Sequence, residues 1–127
     1  MELNSLDADG NGEVDYDEEN DILFFKIKNR EYAKSIELND LVLDVDAEGF
    51  VTGLQIFDAS KLFHLDPESL QDVQRWEFHI KVENKVVSVQ LTFDLQKDNK
   101  IIERGQNLVR ESALLEHNSE VLCAMEV

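Results

Sequence analysis

Between Trp76 and Leu95, apolar and polar residues alternate almost without a break, and that alternation dictates a long amphipathic hairpin. Trp76, Phe78, Ile80 and Val82 are separated by Glu77, His79, Lys81 and Glu83; beyond Asn84-Lys85, the residues Val87, Val89, Leu91, Phe93 and Leu95 are separated by Ser88, Gln90, Thr92, Asp94 and Gln96. A two-residue turn at Asn84-Lys85 sets Val82 opposite Val87, Ile80 opposite Val89, Phe78 opposite Leu91 and Trp76 opposite Phe93. A slip of one residue buries the charged set instead, so one register is strongly preferred.

Other segments extend this β pattern. Ile22–Ile27 is short, apolar and aromatic, and reads as a strand buried on both faces. Ser35–Leu38 and Leu41–Val45 flank an Asn39-Asp40 turn signal. A turn at Glu48-Gly49 pairs Leu43 with Leu54 and Leu41 with Ile56. Asp44 and Asp46 then share a strand face open to water. Past a turn at Asp98-Asn99, Ile101, Ile102, Leu108 and Val109 return the chain, but Arg104 and Gln106 intrude, as on a polar edge strand. Val121–Met125 adds a last strand.

Helix signals are confined to the middle. Asp58–Phe63 reads as one short turn, and Asp66-Pro67-Glu68 as a helix start with Leu70 and Val73 on its buried side. The expected class is therefore α+β: an antiparallel meander and hairpin sheet packed on one or two short helices at about residues 58–74. At 127 residues the chain has room for a single domain, divided into an acidic loop-like stretch at 1–15, a meander at 16–63, and a helix with antiparallel strands at 64–127.

The chain carries 28 acidic and 12 basic residues, a formal charge of −16. That field repels phosphate backbones and anionic lipid, so neither nucleic acid nor a membrane is an expected partner. It favours cations or a basic protein. A lone cysteine, Cys123, has no internal disulfide partner, and Met1–Leu6 lacks a basic, apolar leader. Both point to the cytoplasm as the default location.

Tyr16-Asp17-Glu18-Glu19-Asn20-Asp21-Ile22-Leu23, followed by the apolar run to Ile27, resembles the opening of a family of small prokaryotic proteins known as domain of unknown function 2283. The resemblance continues through Leu43–Val51, Thr52–Phe57 and an Asp58-Ala59-Ser60 segment, so it spans residues 16–63. It implies a β-meander followed by a helix and brings no activity with it.

The sharpest chemical motif precedes that stretch. Asp7-Ala8-Asp9-Gly10-Asn11-Gly12-Glu13-Val14-Asp15-Tyr16-Asp17-Glu18 resembles an EF-hand-type calcium loop. Asp7, Asp9 and Asn11 stand at the first three ligand positions, and Glu13 offers its backbone carbonyl. Asp15 and the closing carboxylate Glu18 complete the oxygen set that a hard cation demands. The flanks lack the two helices of a true EF-hand, leaving open a lone Ca2+ loop on a β scaffold or an acidic turn. A fainter echo at Asp44–Val51 ends in Gln55 where a carboxylate belongs, and the hairpin reading takes precedence.

No catalytic constellation is legible. His64, His79 and His117 have no metal spacing, Cys123 lies in an apolar run, and Ser60 and Ser69 lack a nucleophile-elbow context. The reading that follows is a non-catalytic acidic module, protein-binding or self-associating, with no resident cofactor. The alternatives are a calcium-binding protein using Asp7–Glu18, a neutralising, antitoxin-like partner of a basic protein, and a hydrolase whose groups converge only in three dimensions.

Overall fold

A computed structural model describes residues 3–126; Met1, Glu2 and Val127 lie outside the described residues. Ten strands and two helical turns follow in the order β1 (Asn4–Asp7), β2 (Gly12–Asp17), β3 (Ile22–Ile27), β4 (Tyr32–Leu38), β5 (Leu41–Asp46), β6 (Val51–Phe57), α1 (Ala59–Phe63), α2 (Pro67–Leu70), β7 (Val73–Glu83), β8 (Val86–Lys97), β9 (Lys100–Glu111) and β10 (Ser119–Glu126). They form two five-stranded sheets, β1-β10-β7-β8-β9 and β2-β3-β6-β5-β4. Nearly every contact within them is antiparallel; β1 alone runs parallel to its neighbour β10.

This overturns the expected α+β class. The helices amount to five residues and four residues, and what covers the apolar face of the long hairpin is a second sheet. The fold is a mainly-β sandwich. The inner faces meet through Phe25 of β3, which stacks on Phe78 of β7 with ring centroids 4.1 Å apart. Trp76, Phe93 and Phe63 continue that aromatic layer, with α1 closing one end of the core. Val73, expected on the second helix, instead begins β7, opposite Leu95. Asp66 has the extended backbone of an N-cap, and its carbonyl accepts the Ser69 amide at 3.0 Å, but its side chain makes no capping hydrogen bond.

The hairpin registers appear as read. Trp76 faces Phe93, Phe78 faces Leu91, Ile80 faces Val89 and Val82 faces Val87. Leu43 faces Leu54 and Leu41 faces Ile56. Asn84 and Lys85 both adopt positive φ, as a two-residue turn matched to strand twist requires.

Three local readings need correction. Residues 1–15, taken as loop, supply β1 and the first part of β2, because Leu6, Val14 and Tyr16 point to the core between exposed acids. β3 is not buried on both faces: Leu23, Phe25 and Ile27 are buried while Lys26 is exposed. Asp46 is not solvated. It is buried, accepts the Glu48 and Phe50 amides at 3.0 and 2.9 Å, and pairs with Arg30 at 2.6 Å, so it builds the β5–β6 turn.

Candidate functional site

The acidic segment forms a corner at which the chain crosses from one sheet to the other. β1 lies beside β10, and the pairing continues past its end, with Ala8 N–H donating to Leu122 O and Gly10 N–H to Ala124 O. Asp7 accepts the Asp9 amide at 3.0 Å, and Asp9 accepts the Ala124 amide at 2.7 Å. Asn11 turns back on Ala8 and hands the chain to β2 beside β3.

Both glycines of the calcium-like pattern have work in this corner. Gly10 sits at φ +79°, and a Cβ on Gly12 would stand 2.3 Å from Met125 Cε and 2.7 Å from Cys123 Sγ. Beyond Gly12, Glu13 and Asp15 lie on an extended strand and Glu18 lies past its end. At roughly 3.3 Å per residue the strand carries Glu18 away from the Asp7–Asn11 turn. Asp7, Asp9 and Asn11 are thus grouped, while Glu13, Asp15 and Glu18 are not brought to them. Among the described residues no group of three or more His, Cys, Asp or Glu is placed to hold a metal ion.

Other chemistry-bearing groups are tied up locally. Cys123 donates to Ala8 O at 3.1 Å, and burial, with help from Asp9 and Asp7, pushes its thiol pKa up to about 11. His79 stands 2.7 Å from Glu120 on the wet face of its sheet, and that hydrogen bond holds the Glu120 carboxyl below its ordinary value. An open groove of about 630 Å³ on the outer face of the other sheet is lined by Phe24, Lys26, Arg30, Tyr32, Asp44 and Gln55, with cations and carboxylates intermixed.

A network not foreseen from the chain joins two residues of the β2–β3 turn region to one 39 positions further on. Tyr16 donates its hydroxyl to Asp21 Oδ1 at 2.6 Å; Ser60 donates its amide to Oδ1 at 2.9 Å and its hydroxyl to Oδ2 at 2.7 Å. Burial opposes ionisation of Asp21, but the Tyr16 and Ser60 donors outweigh it and hold the carboxyl below its usual range. Burial and the Asp21 charge together push the Tyr16 phenol upward. The network latches the β2–β3 turn to the start of α1. A signal existed, since all three lie in the segments that carry the family resemblance.

The remaining feature is an edge. β9 is the outermost strand of its sheet, twelve residues long, and it pairs with β8 from Val86–Glu111 to Lys97–Lys100 without an irregularity. Of the four other hairpin pairings, β4–β5, β5–β6 and β7–β8 each contain a register shift, and only the shorter β2–β3 pairing is as regular. The two-residue turn at Asp98-Asn99 makes Lys97–Lys100 a hydrogen-bonded pair, so even-numbered residues of β9 bond to β8. Odd-numbered residues then aim their N–H and C=O groups outward. Two observations agree: Ser112 N–H continues the even series onto Lys85 O, and Val109 O accepts from the Arg110 guanidinium at 2.8 Å. Ile101 is 71% and Val109 57% exposed along this edge. On the inner side Arg110 clasps Asp40 through two bonds, and Arg104 donates to Phe63 O at 3.0 Å, fastening β9 to the opposite sheet and α1.

Comparison with known proteins places this architecture in a family. Residues 13–60 match the family described as protein of unknown function DUF2283. A Methanosarcina mazei protein named "Putative hypoxanthine phosphoribosyltransferase" is 33% identical over 91 residues, covering 72% of this chain and 74% of that protein. An uncharacterized Methanocaldococcus jannaschii protein is 28% identical over 102 residues, covering 80% and 83% respectively. No solved structure matches. The matched segment contains Tyr16, Asp21 and Ser60 and runs from β2 to the first turn of α1, and the chain belongs to the DUF2283 family.

Proposed function

We propose that this protein is a non-catalytic association module that binds another polypeptide along the open edge of β9. The observation that carries the reading is the length and regularity of this outermost strand, twelve residues paired on one side only. A long, regular edge presents a row of unpaired N–H and C=O groups, which most sandwiches blunt with bulges, proline, charge or a covering loop. The opposite sheet does so: its edge strand β2 carries Glu13, Asp15 and Asp17, and its edge strand β4 is bulged at Tyr32/Lys34, with Lys34 reaching over to Leu114 O. β9 contains neither bulge nor proline and exposes Ile101 and Val109. Strand addition at such an edge derives affinity from backbone hydrogen bonds and selectivity from alternate side chains.

The test compares the wild-type chain with an Ile101→Lys/Val109→Lys variant, both by mass in solution and by affinity capture. The wild type should hold a polypeptide, its own copy or another, that the doubly charged variant releases. If the two chains stay monomeric and retain the same set of proteins, the reading is refuted.

The name of the Methanosarcina mazei relative raises phosphoribosyl transfer as a second reading. Incubation with hypoxanthine and a phosphoribosyl donor checks it directly. Formation of the nucleotide would overturn the non-catalytic part of the proposal.

A further inference from the structure

The β9 edge has a symmetry of its own. We infer that its partner is a second copy of this chain, the two β9 strands pairing antiparallel about a two-fold axis through Gly105. The inference rests on the edge reading above and specifies its occupant.

Register selects the axis. Residues directly opposite in an antiparallel pair point to the same face, so two identical strands can meet only where paired residue numbers share parity. With Gly105 on the axis, Ile101 faces Val109 of the second copy, Glu103 faces Asn107, and Gly105 faces itself. All are odd-numbered, the series whose backbone groups point outward, and together they complete about ten new hydrogen bonds. On the inner face half-exposed Ile102 comes to Leu108 and Arg104 to Gln106. Moving the axis to Gln106 sets Val109 against Glu103 and Ile101 against Glu111; moving it to Arg104 stacks two guanidinium groups. Only the Gly105 axis brings the two most exposed apolar side chains of β9 onto each other.

Charge and glycine usage agree. The whole chain has net charge −16, yet β9 holds Lys100, Arg104 and Arg110 against Glu103 and Glu111, so this one strand escapes the general repulsion. The like-charged pair in this register, Lys100 with Arg110, is softened by Asp40, which already neutralises Arg110. Gly105 has no positive φ, and a Cβ there would meet nothing closer than Leu91 O at 3.9 Å. The monomer therefore has no steric need for glycine at this position, while a close approach by a second backbone does favour one.

The contact is one strand wide, so the dimer is concentration-dependent rather than obligate. Sedimentation should show the 14.6 kDa chain passing to twice that mass as concentration rises, and more readily at high salt, which screens the repulsion between acidic bodies. Gly105→Cys then places two thiols across the axis, within disulfide reach for a hydrogen-bonded pair. Under mild oxidation it should cross-link at least tenfold faster than Ile101→Cys, whose more exposed thiol faces Val109. A wild type that stays at 14.6 kDa at every concentration overturns self-pairing, and the captured polypeptide of the preceding test then decides the edge reading separately. A dimer that links through residue 101 as fast as through 105 overturns the register alone.

Discussion

Replacing Asp21 tests whether the Tyr16–Asp21–Ser60 cluster is architecture. Asp21→Ala removes the acceptor of three hydrogen bonds, from Tyr16 Oη, Ser60 N and Ser60 Oγ. Hydrogen bonds to an ionised group contribute about 1.5 kcal/mol or more each, though the three share one carboxylate and do not add fully. Asp21 also sits at φ +55°, which alanine tolerates less well than aspartate or asparagine, for about 1 kcal/mol more. The expected loss is about 4 kcal/mol. With an unfolding entropy of about 2.1 cal/mol/K per residue, this chain should lose roughly 15 °C in Tm. Asp21→Asn keeps one acceptor oxygen and the positive φ, and should lose only about 1–2 kcal/mol. Trp76, buried between the sheets, is the sole tryptophan and reports unfolding by fluorescence in a urea titration. A cycle with Tyr16→Phe should return a coupling of at least about 1 kcal/mol. Asp21→Ala shifting stability by less than about 1 kcal/mol, or Asp21→Asn costing as much as alanine, would refute the latch. The pH dependence carries a fixed sign: the folded carboxyl lies below its unfolded value, so its contribution is complete above about pH 5 and disappears as acid protonates it.

Other perturbations bear on separate parts of the molecule. Phe78→Ala empties the centre of the inter-sheet stack and should cost about 3–5 kcal/mol by the same urea titration; a smaller value would mean the sheets collapse onto the gap. Gly12→Ala drives a methyl group into Met125 and Cys123, and should lower Tm unless paired with Met125→Ala, which opens the space; equal losses with and without the second change would disprove the close approach. Calorimetric titration with calcium should give no saturable heat up to millimolar metal, whereas a saturable heat removed by Asp7→Ala would establish a metal role for the corner. Thiol titration of Cys123 at pH 8 in the folded state should be far slower than after unfolding, as a buried thiol with a raised pKa requires.

The parts legible in the chain were those where period two persists long enough to beat local noise. Trp76–Leu95 is read correctly down to individual pairs because nine inward residues agree. The fold class is misjudged for a different reason. Alternation shows that a face must be covered but not by what, and Asp66-Pro67 advertises a helix that extends for only four residues. β1 and β2 escape notice because the polar and acidic residues on their outer faces give a loop-like composition. Ligand chemistry is present at Asp7–Glu18, but an extended backbone distributes it along a strand. The edge of β9 was recognised as a polar edge strand, from the misfit of Arg104 and Gln106. What no sequence pattern conveys is its freedom from any neighbour, since that depends on the order of all five strands in the sheet.

That strand order also constrains how the chain can acquire its structure during synthesis. β10 is made after the other nine strands described and lies between β1 and β7, so β1 waits for a partner separated from it by more than a hundred residues. Until β10 inserts, the Asp7–Asn11 corner has no Leu122 or Ala124 to bond, and Gly12 has no Met125 to pack against. The β2–β6 sheet and the β7–β9 meander can form from local hairpins and meet through Phe25 and Phe78, and this late insertion then closes the β1 end. A chain cut before β10 should therefore lose both ends of the molecule at once, with β1 left without a partner strand and β7 turned into an open edge.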